Sequence, residues 1–276
     1  MLFGAHVSIA GGVWNAPLNA AAEHLECFQM FTRSPRGGAA AALTLSSIAA
    51  FKENCAAHAL RRCYVHAPYY INFASSNTRV RQGSITVIRE ELERASALGV
   101  TALMTHLGSA KDVGSAKALE MTIAGLQKAL DGYSGTCQFL IENAAGAGQV
   151  IGDRFEELQS IIDALPETVG ICFDTCHAFA SGYDLRSKQT VDATLKEFDA
   201  HIGLGRLTII HANDSQGELG SKKDRHEHIG QGQIGMAGWK ALVSHPKLQR
   251  VDFILETPPG DARDHDLTTL LALRKV

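Results

Sequence analysis

The 276 residues carry a formal net charge of −3 with 45% hydrophobic and 20% charged residues, ordinary for a globular chain with an extensive core. That balance gives no general attraction for nucleic acid, although divalent cations held in a cleft would reverse the sign locally. No apolar run approaches the ~20 residues of a membrane span.

Leu2 to Val7 reads as the first strand, with His6 near its end and Gly11-Gly12 turning into an alanine-rich helix over Asn15 to His24. Cys27 to Phe31 is the second strand, followed by a loop, Thr32-Arg33-Ser34-Pro35-Arg36-Gly37-Gly38, and a helix from Leu43 to Leu60. Strand three, Cys63 to His66, ends before Pro68, which bars a regular central strand over Ala67 to Asn72. Thr78 to Leu98 has helical periodicity with a Glu90-Arg94 pair, and Gly99 closes it. Thr101 to His106 is strand four, Ala116 to Leu130 a helix, Cys137 to Glu142 strand five and Asp153 to Ala164 a helix. Val169 to Phe173 is a sixth apolar run that ends on Asp174. A helix over Val191 to Ile202 and a strand over Arg206 to His211 follow. After a polar insertion, Gly217 to Gly235, come a helix near Trp239 to Ser244, strand eight at Val251 to Leu255 and a helix from Asp266.

Eight strand–helix alternations without a linker or composition break predict a single-domain (β/α)8 TIM barrel over 1–276, a fold that typically takes ~250 residues. Active sites of such barrels lie at the C-terminal strand ends. Six runs stop there on a metal-ligand residue: His66, His106, Glu142, Asp174, His211 and Glu256. Buried carboxylates gathered in one mouth are costly without cations. Three imidazoles and three carboxylates exceed the needs of one open tetrahedral zinc and suit two ions sharing a bridging carboxylate. His177, three residues past Asp174, and the Asp224-x-His226 pair of the insertion offer a third ligand set. His6 reads as a hydrogen-bonded structural residue, and His24, His58, His201, His245 and His265 read as surface. His228 is left open. The six cysteines, Cys176 beside His177 included, lack a disulfide framework's spacing, and the N-terminus lacks a secretory pattern. A cytoplasmic protein is expected, nucleoid-associated if bacterial.

These segments resemble endonuclease IV, the zinc-dependent apurinic/apyrimidinic endonuclease family. The resemblance runs through His6-Val7-Ser8, Tyr64-Val65-His66-Ala67-Pro68-Tyr69, Thr105-His106-Leu107-Gly108-Ser109, Ile141-Glu142-Asn143, Phe173-Asp174-Thr175-Cys176-His177, His211-Ala212-Asn213-Asp214-Ser215, Asp224-Arg225-His226-Glu227-His228 and Leu255-Glu256-Thr257-Pro258. It implies three zinc ions: one on His66, His106 and Glu142, a second on Glu142, Asp174, His211 and Glu256, and a third on His177, Asp224 and His226. Mn2+ can also occupy such N/O sites. It also implies DNA contacts by Arg36, Tyr69, Tyr70 and Asn72. Two departures stand out: Gly37-Gly38 and alanines where an aromatic residue often follows the arginine, and Gln231 in place of a commonly acidic residue.

The activity so implied is hydrolysis of the phosphodiester 5′ to an abasic site in duplex DNA, leaving a 3′-hydroxyl and a 5′-deoxyribose phosphate. Removal of 3′-blocking groups is implied too. Glu142, Asp174 and Glu256 are the catalytic carboxylates, acting by positioning metal and nucleophile. Duplex DNA with abasic sites is the expected partner, with no protein or membrane partner and a monomeric chain. A sugar isomerase or epimerase of the xylose-isomerase type is the rival enzyme, since fold alone does not separate the two. A non-enzymatic DNA-damage binder with structural metals is the other alternative.

Overall fold

The computed structural model describes residues 1–274. Eight short strands form a closed parallel barrel: β1 (Phe3–His6), β2 (Cys27–Met30), β3 (Cys63–His66), β4 (Ala102–Thr105), β5 (Gln138–Glu142), β6 (Gly170–Asp174), β7 (Leu207–His211) and β8 (Asp252–Leu255). Their near-continuous apolar sequences suit strands buried on both faces, as a parallel sheet under helices requires. The barrel closes between β1 and β8, where Phe3, Gly4 and Ala5 lie opposite Phe253, Ile254 and Leu255. Gly4 is imposed there, because a Cβ would stand 2.1 Å from the Cys27 carbonyl oxygen.

The barrel interior is a plug of Cys27, Tyr64, Ala102, Met104, Leu140, Cys172, Ile209 and Ile254. Side chains alternate along a strand, so the residue two positions on from each inward-facing one also points inward, one layer higher. That arithmetic takes Tyr64 to His66, Met104 to His106, Leu140 to Glu142, Cys172 to Asp174, Ile209 to His211 and Ile254 to Glu256. The apolar plug thus forms the floor of a polar layer at the C-terminal end.

The outer shell comprises α1 (Ala16–Ala22), α2 (Leu45–Ala57), α3 (Thr78–Leu98), α4 (Ser115–Leu130), α5 (Phe155–Ile162), α6 (Thr175–Ser181), α7 (Lys188–His201), α8 (Gly235–Ser244) and α9 (Asp261–Arg274). Phe28, Phe51, Leu92, Phe155, Phe173, Phe198 and Trp239 fill the layer between strands and helices. Several helix starts differ from the sequence reading. α7 begins three residues before Val191 because Ser187 and Thr190 make a reciprocal cap, and α9 begins at Asp261 rather than Asp266. The polar insertion is braced by a two-residue antiparallel ribbon, Asp214–Ser215 against His226–Glu227. Asp214, fully buried, organises it by accepting hydrogen bonds from the amides of Gly230, Ile234 and Gly235 and from Trp239 Nε1 at 2.9–3.2 Å. Among the described residues no helix is long and apolar enough to cross a membrane.

Candidate metal centre

Glu142 lies at the middle of the polar layer. Its Oε2 is 3.2 Å from His66 Nε2 and 3.5 Å from His106 Nε2, while Oε1 is 3.0 Å from His211 Nδ1 and 3.4 Å from His177 Nδ1. One carboxylate therefore faces two groups of donors. His66, His106 and Glu142 offer ligand atoms within 4.8 Å of one another, and so do Glu142, Asp174, His211 and Glu256. The third set also converges, because His177 Nε2 and His226 Nε2 each approach Asp224 Oδ1 at 3.2 Å. Asp174 adjoins this set through His226 at 3.8 Å. It ends β6 and caps α6 at once, accepting the His177 amide at 2.7 Å.

The donor atoms fit divalent ions. Glu142 Oε2 and His226 Nε2 are buried without a hydrogen-bond partner, a costly arrangement that a cation would relieve. The outer nitrogens are already spoken for. His66 Nδ1 bonds the Ala67 carbonyl and His177 Nδ1 bonds the Asn143 carbonyl at 3.0 Å, leaving each Nε2 free for the centre.

Charge is shared unevenly. Burial alone raises the Glu142 carboxyl, but the His106 and His211 imidazoles and hydrogen bonds from His177 and His211 outweigh it and hold it well below the usual range. Burial likewise raises Glu256, and His211 opposite brings it down to about 2. Burial lowers His66 and His177, yet the Glu142 contact for the first and Asp174 and Asp224 for the second carry both above 6.5. His106, for which burial dominates, falls to about 4.

The family profile described as a xylose isomerase-like TIM barrel matches residues 18–273. A protein of Methanoculleus marisnigri named probable endonuclease 4 is 40% identical over 266 residues, covering 95% of this chain and 94% of that one. The crystal structure of endonuclease IV from Thermus thermophilus superposes with a TM-score of 0.89 at 35% identity, over 100% of this chain and 99% of that one. The chain belongs to the endonuclease IV family. The expectation of a nuclease enzyme on a TIM barrel is met by that membership. A D-tagatose 3-epimerase-like protein, 22% identical with a TM-score of 0.75 over 100% of this chain and 98% of that one, shares the fold alone.

In this endonuclease IV family member the expected DNA-contact residues stand on the rim. Tyr69 is 65% exposed, with its ring against Phe31 and His66, and its amide bonds the Pro35 carbonyl of the neighbouring loop at 3.3 Å. Arg36 is exposed in that loop, whose two ends are clamped to α3: Arg33 pairs with Glu90 and Glu91, and Arg94 donates to the Thr32 and Ala41 carbonyls. Asn72 braces its loop by accepting from the Ala74 amide at 3.0 Å. With Tyr69, Tyr70, His106, His177 and Asp224 it lines a cavity of about 510 Å3 beside the metal ligands.

His6 takes the structural place expected of it, bonded to Gln29 at 3.1 Å. His228, left open, bonds Asp266 at 2.7 Å, and two histidines expected at the surface have partners, His201 with Gln159 and His245 with Asp192. Cys176 donates to the Arg225 carbonyl at 3.5 Å. Sequence reasoning passed over Asn213, which bonds Asp174 at 2.7 Å and Glu256 at 3.1 Å, and Asn143, which accepts the Asp174 amide at 2.7 Å. It also passed over Gln29, fully buried yet two residues on from the inward-facing Cys27.

Proposed function

We propose that the chain cuts duplex DNA at abasic sites, hydrolysing the phosphodiester 5′ to the lesion and leaving a 3′-hydroxyl and a 5′-deoxyribose phosphate. The observation that supports this most is Glu142 facing two donor groups with one orphaned oxygen, beneath an open mouth. Three Zn2+ ions would be held by His66, His106 and Glu142, by Glu142, Asp174, His211 and Glu256, and by His177, Asp224 and His226, with Mn2+ acceptable at one of them. Bound there, the ions supply Lewis acidity: they lower the pKa of water and neutralise charge on the phosphate and the leaving oxygen.

The chain's own residues do the rest. Glu142 and Glu256 stay ionised over the working pH range and so serve as ligands, not proton donors. Tyr69 and Tyr70 present aromatic surface to the space an extruded nucleotide leaves, and Arg36 reaches the duplex from the adjoining loop. The cavity between Tyr69, Asn72 and His106 accepts a deoxyribose that bears no base, and an abasic nucleotide costs less to extrude than a stacked pair. The same mouth would admit 3′-blocking groups. The third ligand set, two of whose members lie on the insertion, favours this reading over ketose epimerisation, a proton shuttle that needs one or two ions.

The test is a duplex oligonucleotide with one abasic analogue, incubated with purified protein before and after prolonged chelation. A single nick 5′ to the lesion, lost on chelation and restored by zinc, is expected. Glu142→Gln should slow nicking by at least roughly 100-fold while the barrel stays folded by circular dichroism. No nick from metal-replete protein, or near wild-type cutting by the variant, would overturn the assignment.

A further inference from the structure

The side-chain amide of Gln29 lies at the wall of the polar layer and bonds two of the proposed ligands, Glu256 and His211, as well as His6. Its Nε2 donates to Glu256 Oε1 at 2.8 Å and lies 3.1 Å from His6 Nδ1. Its Oε1 lies 2.7 Å from His211 Nε2. The chemistry fixes every orientation in this chain. An ionised carboxylate only accepts, so the NH2 of Gln29 must face Glu256, and its carbonyl oxygen must face His211. That oxygen only accepts in turn, so the proton of His211 sits on Nε2. Nδ1, 3.0 Å from Glu142 Oε1 and 3.4 Å from Glu256 Oε2, is then the nitrogen that donates to those carboxylates without metal and whose lone pair a metal would meet once its proton is lost.

We propose that Gln29 is a positioning residue for the second metal: it locks His211 in the Nε2–H tautomer and holds Glu256 in place, so that both present coordinating atoms to one point. This deepens the metal-centre reading and rests on it. His66 and His177 take their tautomers from main-chain carbonyls that a substitution does not remove; for His211 the partner is a side chain, and this makes the lock testable. Outer partners of this kind typically change metal affinity by roughly 10–100-fold.

Two variants of the full-length chain separate the lock from mere filling of space. Gln29→Met keeps the volume and removes the hydrogen bonds to Glu256, His6 and His211. Gln29→Glu keeps an acceptor for His211 but sets a carboxylate against Glu256. Imidazole 15N spectra of metal-free protein, recorded at a pH high enough to deprotonate His211, should show it as Nε2–H in the wild type and in Gln29→Glu, and as a mixture of tautomers in Gln29→Met. Zinc titrations against a competing chelator should show one ion of the set weakened by roughly 10–100-fold in Gln29→Met, with the other ions and the melting temperature little changed. An unaltered His211 tautomer and unaltered zinc affinities in Gln29→Met would overturn the proposal while leaving the metal centre standing. A wild-type chain that takes up no metal would overturn both.

Discussion

At the scale of single residues the centre is a set of imidazoles waiting to lose protons. His66, His177 and His226 are each held above 6.5 by adjoining carboxylates that outweigh the effect of burial. A metal must displace those protons, so affinity falls as pH drops through the raised values. Zinc binding should therefore weaken with falling pH from above 6.5 by more than a single competing proton allows, and proton release on binding should be measurable by calorimetry in buffers of differing ionisation enthalpy. A pH-independent affinity would contradict the ligand set. His66 was legible in the sequence because an apolar run that stops on an imidazole at a strand end has no core explanation, and His177 and His226 were legible from their spacing to Asp174 and Asp224. Gln29 was not legible, since Cys-Phe-Gln-Met reads as an ordinary buried strand and a neutral amide announces no chemistry.

At the scale of elements, the insertion after β7 depends on one buried acid. Asp214 receives four donors from the segment running from Gly230 to Trp239, and the ribbon beside it carries His226. Asp214→Asn replaces an acceptor by a donor facing N–H groups, which should cost about 2–4 kcal/mol on denaturation and loosen the insertion. Proteolysis after Lys222 or Lys223 should then quicken well before global unfolding; unchanged cleavage would show that the ribbon holds without Asp214. These local elements were hidden from sequence reading for a plain reason. A two-residue ribbon has no periodicity, and α6 begins on the residue after β6, so no loop composition separates strand from helix. The long helix α3, by contrast, is bounded by Asn77, whose side chain accepts two amides, and by Gly99 in a left-handed conformation, and both ends fell where the periodicity put them.

At the scale of the whole molecule, barrel closure draws the two ends of the described chain together on the face opposite the site. Glu26 accepts from the Phe3 amide at 2.9 Å and from both Arg274 terminal nitrogens at 2.7 and 2.9 Å, joining β1, the start of β2 and α9. Burial raises the Glu26 carboxyl, but the Arg274 and Phe3 contacts outweigh it and leave it below its ordinary 4.5. A depressed carboxyl contributes stability above its unfolded value and loses it as pH falls through the folded one. Glu26→Gln should thus melt lower than wild type near neutrality, by an amount worth about 1 kcal/mol or less for so exposed a pair, and the gap should close below pH 4.5. A gap that persists in acid would assign the loss to packing.

The six strand-end residues of the proposed centre come from six different strands, β3 to β8, with His106 and Glu256 each one residue past its strand. During synthesis, a nascent chain on the ribosome has no such centre until β8 has emerged and seated itself between β7 and β1. Filling of the second proposed set, which alone among the three needs Glu256, would then report on completed folding of the barrel.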